Sequence, residues 1–136
     1  MSEELEKAAF LGNIEAIERL LDAGANIDSD GRIWNALHTA IENGNVDCIE
    51  LLIGRGADVE RCATGNLSPL AHAVDIAIDG ACQSGGRPGD ESTDIINLLL
   101  EAGTDPASGL EVARGYESAK IVELLTSAMK RQLNKS

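Results

Sequence analysis

The sequence repeats itself. The segment at 12–27 (GNIEAIERLLDAGANI) returns at 44–59 as GNVDCIELLIGRGADV, an offset of 44 − 12 = 32 residues, and shorter copies follow at 95–105 and 120–125. Units of this length cannot bury an apolar face alone, and stacking against the next unit solves that problem. The repeat therefore predicts a single stacked domain over residues 1–136.

Each copy has the pattern of a helix–turn–helix unit. A Gly-Asn pair such as Gly12-Asn13 suits a tight turn, because Gly accepts a left-handed backbone and Asn caps the next helix. Apolar residues then recur at helical spacing, and Gly24 and Gly56 are placed to end the helix. A shorter helix is predicted before each copy, at 5–11, at 37–43 and from 70 onward. With aromatic residues at only 2% of the chain, the prediction is an all-α fold with an aliphatic core.

Two segments resemble a known repeat. Residues 35–40 (NALHTA) and 68–73 (SPLAHA) are similar to the opening T-P-L-H-x-A of the ankyrin repeat, and 56–59 (GADV) resembles its loop. The chain is thus similar to short, stand-alone, bacterial-like ankyrin-repeat proteins. The resemblance implies an α-solenoid of about four repeats, approximately 1–28, 29–60, 61–105 and 106–136, with capping repeats at both ends.

The third repeat departs from this pattern. Leu5 to Gly24 spans 19 residues, whereas Leu70 to Gly103 spans 33, so the third repeat carries 33 − 19 = 14 additional residues, approximately 77–90. Residues 75–79 are expected to lengthen the inner helix, and 83–90, rich in Gly, Pro and Ser, to form a loop. The chain then ends in a basic helical tail.

The charge of the chain limits its partners. Asp and Glu number 23 against 11 Lys and Arg, a formal net charge of −12. An acidic surface repels phosphate backbones, so nucleic acid is not an expected partner. A protein with a basic surface is favoured, although the charge could equally serve only to keep the chain soluble.

The spacing of the cysteines and the absence of long apolar runs favour a cytoplasmic location. Cys48, Cys62 and Cys82 are 14 and 20 residues apart, a spacing that matches neither a disulfide framework nor a close metal motif. Neither a secretory signal after Met1 nor an apolar run of about 18 residues is visible. The expectation is a reduced cytoplasmic protein, monomeric when unbound, with no membrane partner and no cofactor.

Catalytic patterns are weak. His38 occupies the histidine position of the resembled family, where the ring bonds loop backbone, and a structural role is expected for His72 as well. A metal site of His72, Cys62 and Cys82 lacks ligand spacing. The Gly-rich segment 84–89 lacks the Lys-Ser/Thr of a phosphate-binding loop. The chain is therefore not expected to be an enzyme, and a metal-binding or enzymatic role is the least favoured alternative.

The aromatic residues give the candidate binding surface. Phe10, Trp34 and Tyr116 are the only aromatics, and the resemblance places all three on the concave face that contacts partners. The remaining candidates around them are Leu11, Arg32, Glu42, Asn43, Leu67, Asp75 and Asp79. The alternative is that the rings pack on neighbouring repeats, with Phe10 shielding Leu37.

The favoured function is binding, and the class of target follows from analogy. The chain is expected to bind and inhibit a basic partner protein, as an immunity protein inhibits a toxin enzyme. The alternative within binding proteins is a scaffold or regulatory adaptor subunit. Fold alone does not decide between these functions.

Overall fold

The computed structural model describes residues 2–29, 34–62, 67–83, 93–115 and 119–134. These residues form α1 (Ser2–Leu11), α2 (Ile14–Asp22), α3 (Ala36–Glu42), α4 (Val46–Gly54), α5 (Pro69–Gln83), α6 (Asp94–Glu101), α7 (Ala107–Gly115) and α8 (Ala119–Asn134). Within the described ranges there is no β-strand, and the all-α prediction is confirmed. The chain divides into two compact units, Met1–Pro69 and Leu70–Ser136.

The Gly-Asn turns of the first unit form as predicted. Gly12 and Gly44 have positive φ angles of 70° and 66°, the left-handed backbone that favours glycine. The side chains of Asn13 and Asn45 then cap α2 and α4, each accepting a hydrogen bond from the backbone N–H three residues later, at 3.1 and 3.2 Å. These bonds satisfy amides that would otherwise lack partners at the helix start.

Glycines also end the outer helices. At the end of α2, Gly24 has φ 101°, and its N–H donates to the carbonyl of Leu21 while that of Ala25 donates to Leu20, both at 3.0 Å. This pair of bonds is a Schellman motif, which satisfies carbonyls at the helix end. Gly56 ends α4 with the same geometry, so the predicted stop signals are confirmed.

Helices of the first unit stack through aliphatic side chains. Helix α1 packs on α2 and on α3, and α3 packs on α4. The fully buried side chains include Leu5, Ile17, Leu37, Ile41, Ile49 and Leu52. The two repeats are also joined at their surface by an ion pair of 2.6 Å between Arg55 and Asp22, 33 residues apart.

The second unit contains the lengthened helix. Helix α5 has 15 residues against 7 in α3, so the prediction that 75–79 extend the inner helix is confirmed. The helix includes Gln83, the first residue assigned to the loop, and the rest of that loop lies outside the described residues. Helix α7 approaches α5 closely at Gly109, where a Cβ atom would lie 3.1 Å from Cγ of Leu70.

Helices α6 and α8 supply further core of the second unit. Their fully buried side chains are Ile96, Leu99, Ile121 and Leu125. The hydroxyl of Thr104 donates to the carbonyl of Leu99 at 3.0 Å. Helix α8 includes Lys130 and Arg131, which confirms a basic helical tail, while Lys135 lies outside the described residues.

Candidate functional site

The histidine of the second repeat has a structural role. His38 is fully buried, and its Nε2–H donates to the backbone carbonyl of Arg61 at 3.0 Å. Its backbone N–H donates to the side chain of Asn35 at 2.9 Å, which caps α3. The ring therefore fastens the loop after α4 to helix α3, and the structural interpretation of His38 is confirmed.

The metal and thiol candidates differ in their exposure. His72 is buried and Cys62 is exposed, and the side chain of Cys82 lies outside the described residues. Among the residues whose positions are described, no group of three or more His, Cys, Asp or Glu side chains could hold a metal ion. Cys48 is buried, and this burial, followed by the charge of Asp47, raises the pKa of its thiol.

A cleft of about 370 Å³ opens between α1 and α3 in the first unit. Its lining, which defines the α1/α3 cleft, consists of Glu3, Glu6, Lys7, Phe10, Trp34, Thr39 and Glu42. Three of the predicted binding residues, Phe10, Trp34 and Glu42, are thus brought together. Among the described residues, the lining combines two aromatic rings with three carboxylates and one ammonium group.

Hydrogen bonds from side chains of one repeat to the backbone of the other hold Phe10 and Trp34. The backbone N–H of Trp34 donates to Oε2 of Glu6 at 2.8 Å. On the other side, the amide Nδ2 of Asn43 donates to the carbonyl of Phe10 at 2.8 Å. Each aromatic residue is therefore held by a bond from the adjacent repeat. One donor of Asn43, a predicted binding residue, serves this purpose.

Phe10 is the most exposed aromatic side chain of the described residues. It leaves 62% of its surface in water, although Leu37 of the next repeat is buried. Packing between repeats therefore uses only a minority of the ring. Trp34 is partly buried, so its indole is held in place and still reaches the cleft.

Leu11 belongs to a different surface. It is 64% exposed and lines a second cleft, of about 360 Å³, between α1 and α2. Phe10 and Leu11 are neighbours in sequence, but successive residues of a helix point about 100° apart. The two exposed apolar side chains of α1 therefore face different clefts.

The remaining predicted residues are spread over both units. Leu67 in the first unit and Asp75 in the second are partly buried. Asp79 belongs to α5, but its side chain is outside the described part of the structure. Arg32 and Tyr116 lie wholly outside the described residues. Whether any of the ten predicted positions contacts a partner stays a prediction.

Sequence reasoning missed four lining residues, of which three lie on α1. Together with Phe10, they occupy positions i (Glu3), i+3 (Glu6), i+4 (Lys7) and i+7 (Phe10), the spacing of one helix face. This spacing is the sequence signal that could have placed these residues on the same surface as Phe10. Thr39, the fourth, is buried, and its hydroxyl donates to the carbonyl of Asn35 at 3.0 Å.

A third cleft lies in the second unit. It has a volume of about 460 Å³ and is lined by Asn97, Leu100, Glu101, Gly103, Ala128, Arg131 and Gln132. It contains no aromatic side chain among its described lining residues. None of the helices in the described ranges is long and apolar enough to cross a membrane.

Comparison with known proteins gives the family. The sequence signature of ankyrin repeats, in three copies, matches residues 5–109, which is 105 of the 136 residues. A comparison with curated proteins finds no match. The match covers the Gly-Asn turns, helices α2 to α4 and the described lining of the α1/α3 cleft except Glu3. The chain therefore belongs to the ankyrin-repeat family, whose repeats act as protein–protein interaction modules.

Proposed function

We propose that the chain binds a basic partner protein at the α1/α3 cleft and thereby inhibits that partner. The single observation that carries this proposal is the exposed ring of Phe10, held beside Trp34 in a cleft bordered by carboxylates. Binding, rather than catalysis, is the function that such a surface supports. The finer assignment, inhibition in the manner of an immunity protein, rests on the acidity of the chain, whose formal net charge is −12.

The energetic support comes from Phe10. A large ring with 62% of its surface in water is costly to leave uncovered, and burying such a side chain contributes about 1.5–3 kcal/mol. Phe10 is held by the bond from Asn43 to its carbonyl, so little backbone ordering is needed on binding. A preorganised aromatic next to a tryptophan has the composition of an interface hot spot.

Charge supports a basic partner. The described lining residues of the cleft include three carboxylates and one ammonium group, a formal charge of −2, and the whole chain has −12. Such a field steers a basic protein toward the cleft and raises the association rate. Because salt screens this field, the association rate should fall as the ionic strength rises. If the charge served solubility alone, the association rate would not fall.

Capture of partners tests the proposal with two adjacent substitutions. Immobilised wild-type protein, Phe10→Ser and Leu11→Ser are each incubated with host lysate, and the captured proteins are identified by mass spectrometry. Phe10 and Leu11 have nearly equal exposure, 62% and 64%, but face different clefts. We expect a basic protein to be retained by wild type and Leu11→Ser and lost with Phe10→Ser.

The opposite result would refute the assigned surface. Equal capture by Phe10→Ser and wild type, or loss with Leu11→Ser alone, places the interface elsewhere. With the partner identified, its activity is titrated with the chain. Stoichiometric loss of activity supports inhibition, whereas unchanged activity in a stable complex supports the scaffold or adaptor alternative. A cytoplasmic location and a monomeric unbound state belong to the same proposal, and the latter is checked by the 14.3 kDa mass in light scattering.

A further inference from the structure

We infer that the α1/α3 cleft receives the side chain of an arginine that projects from the partner protein. This inference rests on the proposed function and adds the chemical group that the cleft recognises. The volume of the cleft, about 370 Å³, lies at the small end of ligand sites, which range over about 300–1,000 Å³. The cleft therefore suits one long side chain better than a helix or a strand.

The composition of the lining favours a cation with an apolar stem. Phe10 and Trp34 supply aromatic surface, and Glu3, Glu6 and Glu42 supply carboxylates around it. A cation over the face of an aromatic ring is attracted by the ring's electron distribution, most strongly for tryptophan. The carboxylates line the same cleft as the rings, so one cation in the cleft is attracted by both, and Oε2 of Glu6 at the same time accepts the backbone N–H of Trp34.

Arginine fits this lining better than lysine. The guanidinium group is planar, so it stacks on an indole or phenyl ring and can bond a carboxylate through two N–H groups at once. It is also less strongly hydrated than an ammonium group, which lowers the cost of entering a partly apolar cleft. An ammonium group is a compact, hydrated point charge that gains less from stacking.

Lys7 limits the affinity of the empty cleft for cations. Its exposed side chain lies on α1 and lines both this cleft and the cleft between α1 and α2. Its ammonium group repels a second cation and can be drawn to the same acidic rim. Removal of this charge should therefore tighten the binding of arginine, an effect opposite in sign to the removal of a carboxylate.

The single tryptophan permits a direct test with small probes. Trp34 is the only Trp, so the indole N–H gives one resonance in a proton–nitrogen spectrum and reports on this cleft alone. The free protein is titrated with Nα-acetylarginine amide, with the neutral analogue Nα-acetylcitrulline amide, and with Nα-acetyllysine amide, which keeps its side-chain ammonium group. We expect the arginine derivative to shift the indole resonance with a millimolar dissociation constant, as small ligands do, and the other two to bind more weakly.

Charge variants make the test quantitative. Glu3→Gln or Glu42→Gln should weaken the arginine derivative about two- to fivefold, and Lys7→Met should tighten it about twofold. The matched control is Glu15→Gln, an exposed glutamate on α2 outside the cleft lining, which should change nothing. Citrulline or lysine binding as tightly as arginine, or an indole that does not respond to arginine, overturns the inference.

Failure of this inference is distinguishable from failure of the proposed function. If arginine does not bind but Phe10→Ser still abolishes partner capture, the cleft binds a partner by other contacts and only the arginine inference falls. If partner capture is insensitive to Phe10→Ser, both fall, whatever the small probes do.

Discussion

The backbone N–H of Trp34 donates a hydrogen bond of 2.8 Å to Oε2 of Glu6, which ties the segment before α3 to helix α1. The two residues are 28 positions apart, so this bond forms only when the first two repeats stack. It also sets the position from which the indole reaches the α1/α3 cleft. The binding surface and the stacking of the repeats therefore depend on the same contact.

Replacement of Glu6 tests this contact. Glu6→Ala removes the acceptor and should loosen the segment at Trp34, whereas Glu6→Gln keeps a carbonyl oxygen that can accept the same bond. Because the indole is partly buried, its fluorescence should move to longer wavelength in Glu6→Ala and stay near wild type in Glu6→Gln. Equal spectra for the two variants would mean that this bond does not position Trp34.

Two glycines with nearly the same backbone provide a matched stability test. Gly12 and Gly44 have φ angles of 70° and 66°, so alanine should cost each about 1–2 kcal/mol of unfolding free energy. At Gly12 alone, the added Cβ would collide with the side-chain nitrogen of Asn45, which caps α4. Gly12→Ala should therefore cost about 1 kcal/mol more than Gly44→Ala, the contribution of a displaced N-cap.

Urea unfolding of the glycine variants measures this difference. In an Asn45→Ala background, where the cap is already absent, the additional cost of Gly12→Ala should disappear. A cost that persists in that background would show that the collision with Asn45 is not its source.

His38 should contribute to stability and not to binding. His38→Ala leaves the carbonyl of Arg61 without its 3.0 Å donor and opens a cavity at a fully buried position. We expect a loss of about 2–4 kcal/mol of unfolding free energy, measured by urea unfolding. The folded fraction of the variant should bind the partner as wild type does, and a stable variant that does not bind would assign His38 to the interface.

Thiol reactivity tests the burial of Cys48. Burial, and then the charge of Asp47, raise the pKa of its thiol, so less reactive thiolate is present at any given pH than in a free cysteine. In a Cys62→Ser/Cys82→Ser variant, the remaining thiol should react with an aromatic disulfide reagent much more slowly in native protein than in urea. The native rate should rise only at a pH above the usual cysteine range, and native and unfolded rates that agree at pH 8 would contradict the burial of this thiol.

The helices could be predicted because their signals are local. Gly12 and Asn13, and their counterparts at 44 and 45, specify a left-handed turn followed by a cap within two residues. Such signals do not depend on distant contacts, so the pattern predicts α1, α3 and the start of α5 within three residues of their observed bounds. The extension of α5 through residues 75–79 was predictable from their helix-compatible composition, whereas its continuation past Gly80 to Gln83 was not.

The cleft could be predicted only in part, because its walls come from two repeats. Phe10 and Trp34 were found through the family resemblance, but the role of Glu6 depends on a bond to the backbone 28 residues away. Similarly, the amide of Asn43 bonds the carbonyl of Phe10, a contact that composition does not reveal. Leu11 is an apolar neighbour of Phe10 in sequence, and only the geometry of helix α1 shows that the two side chains face different clefts.

The most direct measurement is the affinity of the purified partner for Trp34→Ala, compared with the unfolding free energy of the same variant. Truncation of an anchoring tryptophan should weaken binding by at least about 2 kcal/mol, roughly thirtyfold in dissociation constant. The unfolding free energy should fall by no more than about 1 kcal/mol, since the indole is only partly buried. Unchanged affinity, or a loss of binding that merely follows a large loss of stability, would contradict a partner site in the α1/α3 cleft.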